Sequence, residues 1–181
     1  MKRVASQALF LIDGYNIVGA WMTLKQVRDE LGLEEARRQL IEIMTGYASF
    51  NAYEVQVVFD AQYQDMPGSK EVITQLCSVY YTNHNQTADS YIEKTCADFR
   101  RDIRKFEQRI VVATDDRALQ LTAIGFGAEW RSSEQLNSEV EFSINRVRSR
   151  QRPQGKSSGR FLMNGLDPEA QAKLDRLRFG K

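Results

Sequence analysis

Short, continuous apolar runs alternate along the chain with amphipathic stretches, and the two periods predict strands alternating with helices. Residues 8–12 (Ala-Leu-Phe-Leu-Ile) form an apolar run closed by Asp13-Gly14, the pattern of a strand buried on both faces of a parallel sheet. Residues 34–50 predict a helix. Leu33, Ala36, Leu40, Ile43, Met44 and Tyr47 recur at helical spacing, and Glu34, Glu35, Arg38 and Glu42 fill the other face. A second strand, residues 54–59, is closed by Asp60-Ala61; residues 62–69, with Pro67-Gly68, predict a loop. Residues 79–82 read as a third strand. Thr87 is placed to N-cap a helix whose apolar stripe is Ile92, Cys96, Phe99 and Ile103. Residues 110–114 give a fourth strand and 115–124 a helix, which Gly125 and Gly127 punctuate. Residues 128–131 suggest an edge strand, and Ser133 is placed to cap a helix reaching about Arg148.

This alternation implies right-handed crossovers and an α/β fold, a mostly parallel sheet flanked by helices. From residue 151 to 165 the composition shifts to Pro, Gly, Ser and basic residues, which reads as a linker. Asp167-Pro168 then opens a short helix bearing Leu174 and Leu177. The expected division is a domain over residues 1–149 and a basic extension over 150–181.

Composition removes several function classes. Of 181 residues, 42% are hydrophobic and 27% charged, enough apolar surface for a real core. The early apolar run is too short to span a bilayer and lacks the pattern of a signal peptide, so the expected location is the cytoplasm with no membrane partner. Cys77 and Cys96 lie in apolar surroundings without CxxC spacing and read as small buried hydrophobes. A single histidine, His84, cannot build a zinc site, and neither GxSxG nor GxGxxG occurs, so no nucleotide cofactor is expected. The net charge of +1 hides an asymmetry. Residues 1–145 hold 15 Lys and Arg against 21 Asp and Glu, a balance of −6; residues 146–181 hold 10 against 3, a balance of +7. A basic tail of this kind suits phosphate backbones.

Candidate chemistry sits where the strands end. Asp13 follows the first strand, Asp60 the second and Asp115-Asp116 the fourth, while Asp89 falls in the first turn of the helix after the third. In an open α/β sheet, ligands bind beyond the carboxyl ends of the strands. Each acid has a plain structural reading: a turn, a strand end, a helix-dipole partner or a cap. Jointly they predict converging carboxylates, whose mutual repulsion of roughly 1–4 kcal/mol per close pair calls for a cation. Hard divalent ions such as Mg²⁺ or Mn²⁺ prefer such oxygens and promote phosphoryl chemistry. Asn16, Arg37 and Thr114 are candidate phosphate or water contacts, each with an ordinary structural alternative. Glu93, four residues after Asp89, can extend the acidic face.

These motifs resemble a known family. Residues 11–21 (Leu-Ile-Asp-Gly-Tyr-Asn-Ile-Val-Gly-Ala-Trp) look like the opening signature of NYN domains, a branch of the PIN-like nucleases. Val57-Val-Phe-Asp60-Ala61, Thr87-Ala-Asp89-Ser-Tyr-Ile-Glu93 and Val112-Ala-Thr-Asp-Asp116-Arg117 resemble later motifs of its YacP-type group. The resemblance implies a Rossmann-like PIN fold, a divalent metal and endonucleolytic cleavage of RNA. It implies that Asp13, Asp60, Asp89 and the acid at the fourth strand line the site, with metal expected at Asp13, Asp89 and Asp116 or Asp115. It also links the group to ribosome-associated mRNA turnover. Three departures stand out. Asp115 occupies a usual Ser position, Gln62 replaces a frequent His, and Asn83-His84-Asn85 stands where relatives often carry Lys.

The resulting expectation is an endoribonuclease acting on mRNA. Asp13, Asp60, Asp89 and Asp116 would form its catalytic set, and Arg146, Arg148, Arg150, Arg152, Lys156 and Arg160 would supply affinity for the RNA backbone. The rivals are a non-catalytic RNA- or ribosome-binding protein on the same fold and a metal-dependent phosphatase of small molecules.

Overall fold

Strand β1 (Ala8–Asp13) is buried along its whole length because it takes the middle of the sheet. It pairs in parallel with β2 (Glu54–Phe59) on one side and β5 (Arg109–Ala113) on the other. Beyond β2 lies β4 (Cys77–Tyr81), and beyond β5 lies β6 (Glu129–Arg131), both parallel. A short strand β3 (Ser69–Val72) adds antiparallel to β4, so the sheet runs β3-β4-β2-β1-β5-β6. The computed structural model describes residues 6–60 and 68–151, with backbone alone for 150 and 151. Among these, no helix is long and apolar enough to cross a membrane.

The period of two along β1 sorts its side chains into two cores. Ala8, Phe10 and Ile12 face α1 (Gly14–Ala20), α2 (Met22–Leu31), α3 (Leu33–Asn51) and α6 (Ser133–Gln151); Leu40, Met44 and Leu136 are among their fully buried neighbours. Leu9 and Leu11 face α4 (Ala88–Phe99) and α5 (Arg117–Gly125), against Ile92, Cys96 and Leu119. The continuous apolar run is thus the signature of a strand covered on both faces. Cys77 and Cys96 are buried and unbridged, one in each core.

Contacts divide the chain at Val147/Arg148. The first unit, Met1–Val147, holds the sheet. The second, Arg148–Lys181, enters the described residues only as the last turn of α6, and the expected linker and terminal helix lie outside them. The expected loop at residues 62–69 likewise lies mostly outside, although Ser69 already belongs to β3.

Five local expectations change. Residues 14–31, for which no element is expected, form α1 and α2. Asp13 caps α1, its carboxylate accepting from the Asn16 N–H, and buried Ile17, Val18 and Leu24 hold both helices to the core. Strand β3 is fully exposed, so it carries no apolar alternation to read. The third strand begins at Cys77 and ends at Tyr81, a register set by pairing of Val55 to Phe59 with Cys77 to Tyr81. α4 stops at Phe99, and Ile103 falls in a 3-10 turn (Ile103–Phe106), where it is 81% exposed and does not continue the apolar stripe. The cap of α6 is Ser132, which exchanges hydrogen bonds with Gln135: the Gln135 N–H donates to Ser132 Oγ, and the Ser132 N–H donates to Gln135 Oε1.

One close contact at each end positions α1. The Trp21 indole N–H donates to the Ser133 carbonyl at 2.8 Å, joining the end of α1 to the start of α6. Gly14 passes so close to β2 that a Cβ there would lie 2.4 Å from the Phe59 ring and 2.9 Å from the Val58 carbonyl oxygen. Gly14→Ala should therefore destabilise the fold by about 1–3 kcal/mol, measured by urea unfolding, whereas Gly19→Ala, in open space, should not.

Candidate active site

Register brings the acids together. Asp13, the last residue of β1, lies opposite Val58, and Asp60 follows two residues beyond on the neighbouring chain segment. Ile12 lies opposite Ala113, which sets Thr114 beside Asp13. The Thr114 hydroxyl donates to the Asp13 carboxylate at 3.1 Å and accepts from the Asp116 N–H at 3.1 Å. One buried side chain thus couples the ends of β1 and β5. Asp116 N-caps α5, accepting from the Leu119 N–H at 2.9 Å. On the other side Thr87 N-caps α4 through the Ser90 N–H, which presents Asp89 in the first helical turn.

Electrostatics show that these acids share one neighbourhood. Asp13 is only 8% exposed, and its pKa is pushed up to about 6. Burial is the main cause, followed by the charge of Asp89, with Asp116 adding; the Thr114 and Asn16 hydrogen bonds act in the opposite direction. Asp89 is also raised, by burial and then by Asp116, Glu93 and Asp60. Asp13, Asp60 and Asp89 line a cleft of about 510 Å³, together with Tyr15, Arg28 and Leu33. Arg37 donates to the hydroxyl of Tyr15, one of the lining residues, at 3.2 Å.

The donor chemistry suits a hard divalent ion. The converging groups are all carboxylates, and an ion between them would offset their repulsion. Among the described residues no three His, Cys, Asp or Glu side chains are set closely enough to form a direct cage. Any ion between these carboxylates would therefore need water to complete its oxygen shell.

Other expected residues have different surroundings. Thr114 is wholly buried, and its hydroxyl is engaged by the Asp13 carboxylate and the Asp116 N–H. The Asp115 carboxylate takes the start of α6, accepting from the Ser133 N–H at 2.8 Å and from the Ser133 hydroxyl. Between the two fourth-strand acids, Asp116 is the one coupled to the cluster. The Asn16 side-chain oxygen accepts from the Asp115 N–H at 2.8 Å and ties α1 to the end of β5. Arg146 is exposed about 20 Å along α6 from the end that meets Asp115, with its guanidinium over Phe142. Arg148 is exposed in the second unit; the Arg150 side chain and Arg152, Lys156 and Arg160 lie outside the described residues. Sequence reasoning missed Tyr15, Arg28 and Leu33 as lining residues. Tyr15 stands inside the Asp13-to-Asn16 signature and was open to notice, while Arg28 sits on the unanticipated α2.

Comparison with known proteins agrees with this architecture. Residues 10–179 match the family model of the YacP-like NYN domain. YacP of Bacillus subtilis (strain 168), itself described as uncharacterized, is 36% identical over 144 residues, 80% of this chain and 81% of that protein. The crystal structure of Rae1 (YacP) from Bacillus subtilis, as a tryptophan-to-leucine mutant, is similar with a TM-score of 0.66 and 30% identity, covering 94% of this chain and 99% of that one. A second crystal structure of Rae1 (YacP) gives a TM-score of 0.63 and 31% identity over 95% of each chain.

The raised pKa of Asp13 carries a stability consequence. The folded state binds this proton more tightly than the unfolded chain, so ionisation opposes folding. The effect is absent below about pH 4, grows between pH 4 and 6, and reaches about 3 kcal/mol above pH 6. Asp13→Asn should therefore raise stability at pH 7, and the gain should vanish as the pH falls to 4. Denaturant midpoints of both proteins across that range measure it.

Proposed function

This chain belongs to the YacP-like NYN family, a nuclease-like, PIN-related class, and from that premise we propose that it is a divalent-metal-dependent endoribonuclease acting on mRNA in the cytoplasm. The observation that carries the reading is that Asp13, Asp60 and Asp89 line one cleft while Asp116, hydrogen-bonded to Thr114 beside Asp13, acts electrostatically on both Asp13 and Asp89. Mg²⁺ or Mn²⁺ bound there would supply Lewis acidity toward a phosphodiester and a lowered pKa for an attacking water. Asp13, Asp89 and Asp116 would hold the ion. Asp60, at the open end of β2, would orient water on the substrate side and accept its proton. Arg28 lines the cleft, and Arg37, which donates to the Tyr15 hydroxyl of the lining, would bind a flanking phosphate. The basic C-terminal extension would add sequence-independent affinity for RNA. The family resemblance points to mRNA on the ribosome as the substrate form, with the ribosome as partner.

Asp13→Asn and Asp89→Asn should each lower RNA cleavage by roughly 10²–10⁴-fold while leaving RNA binding in place. EDTA should abolish cleavage, and added Mn²⁺ or Mg²⁺ should restore it. Gel assays on free and ribosome-bound mRNA measure both. Metal-independent cleavage, or none by the unaltered protein on either substrate, would count against the reading and favour a non-catalytic RNA-binding role. In the full chain, Arg152→Ala with Lys156→Ala should reduce the dependence of log Kd on log salt by about 0.7 for each phosphate no longer neutralised.

A further inference from the structure

Away from the cleft, the segment from Arg100 to Phe106 combines exposed cations with exposed apolar side chains. α4 begins beside Asp89 in the acidic cleft and ends about 18 Å away at Phe99. The chain then makes a 3-10 turn before entering β5, and the turn leaves Ile103 81% and Phe106 79% exposed. Arg100, Arg101 and Lys105 surround these two residues, all exposed, and among the described residues none of the three makes an ion pair. Arg104 differs: it pairs with Asp102 at 2.9 Å and lies over the Phe99 ring, so it holds the turn. Lys105 donates to the Arg100 carbonyl at 3.0 Å, and its ammonium lies 5.0 Å from the centre of the Phe106 ring. Asp98 and Glu107 flank the segment without pairing to it.

We propose that Arg100, Arg101, Lys105 and Phe106 form a second RNA-contact surface, at the opposite end of α4 from the acidic cleft. The three cations would take backbone phosphates, and the Phe106 ring would stack on an unpaired base. Two exposed apolar side chains on a four-residue turn are too little for insertion into lipid or for a stable protein interface. Exposed cations beside a largely exposed aromatic ring match what a single strand offers, a charged backbone and stackable bases. The position explains why such a surface would be separate. The cleft is negatively charged until an ion occupies it, so a long RNA gains affinity from a cationic contact elsewhere on the same unit. This inference rests on the ribonuclease reading.

The test measures binding of a labelled, unstructured 20-nucleotide RNA by anisotropy, in an Asp13→Asn background that keeps the RNA intact. Arg101→Ala with Lys105→Ala should lower the slope of log Kd against log salt by about 1.4. Phe106→Ala should weaken binding by roughly 5- to 150-fold, and Phe106→Leu, which keeps apolar area but loses the ring face, should weaken it comparably. In the cleavage-competent protein these variants should raise KM for long RNA and leave kcat unchanged. Folded variants with unaltered affinity, salt slope and KM would overturn the proposal while leaving the nuclease intact. Loss of binding to phosphatidylserine vesicles, with RNA binding kept, would overturn it in favour of a lipid surface. If the parent protein neither binds nor cleaves RNA, the ribonuclease reading falls first and this surface with it.

Discussion

A single carboxylate, that of Asp13, is held at the end of the most buried strand by a hydroxyl from the neighbouring strand, and the site is organised around that contact. β1 is covered on both faces, so its last side chain emerges at a place where water is scarce. Thr114 donates to Asp13 and accepts from the Asp116 N–H, which ties the ends of β1 and β5 together. Gly14 lets the chain turn into α1 against β2 at a distance that a larger residue would not permit. The fold therefore keeps a charge in an unfavourable position, and the pKa of about 6 measures the cost.

That cost is the physical link to function. Proteins seldom gather like charges in a half-buried cleft without a counterion. Asp89, Asp116, Asp60 and Glu93 each raise the energy of a neighbouring carboxylate in this one, and a cation would reverse the sign of the effect. The structure divides its acids by task. Asp116 both caps α5 and faces the cluster, whereas Asp115 is committed to the start of α6. The two adjacent acids are alike in sequence but not in surroundings.

Charge is also distributed along the length of the sheet. Acids collect where the parallel strands end. Arg100, Arg101 and Lys105, which make no ion pair among the described residues, flank the turn that leads into β5, and Arg146 lies far along α6. A polyanion meeting this unit would find repulsion at the carboxylates of the cleft and attraction at the opposite end of α4. The division follows from parallel topology, which sends every strand terminus of one kind to the same edge.

The sequence by itself determined the central strands, the helices with clean apolar stripes and the acids at the strand ends. Each is written in local periodicity or in a residue that closes an apolar run: residues 8–12 before Asp13, 54–59 before Asp60, and the stripe Ile92, Cys96 and Phe99. The family signature of residues 11–21 was legible for the same reason, being contiguous. Tertiary structure alone decided most of the rest. α1 exists because Asp13 caps it and the core buries Ile17 and Val18, whereas α2 is composed mostly of good helix formers and was open to a reading from sequence. β3 forms because β4 offers an edge. Ile103 turned outward when α4 stopped a turn before the apolar spacing ran out. The Thr114 hydroxyl bridges Asp13 and Asp116, and the Asp115 carboxylate binds Ser133 at the start of α6, through hydrogen-bond partners 101 and 18 residues away. No local pattern encodes such partners, since they meet only when the parallel register is set.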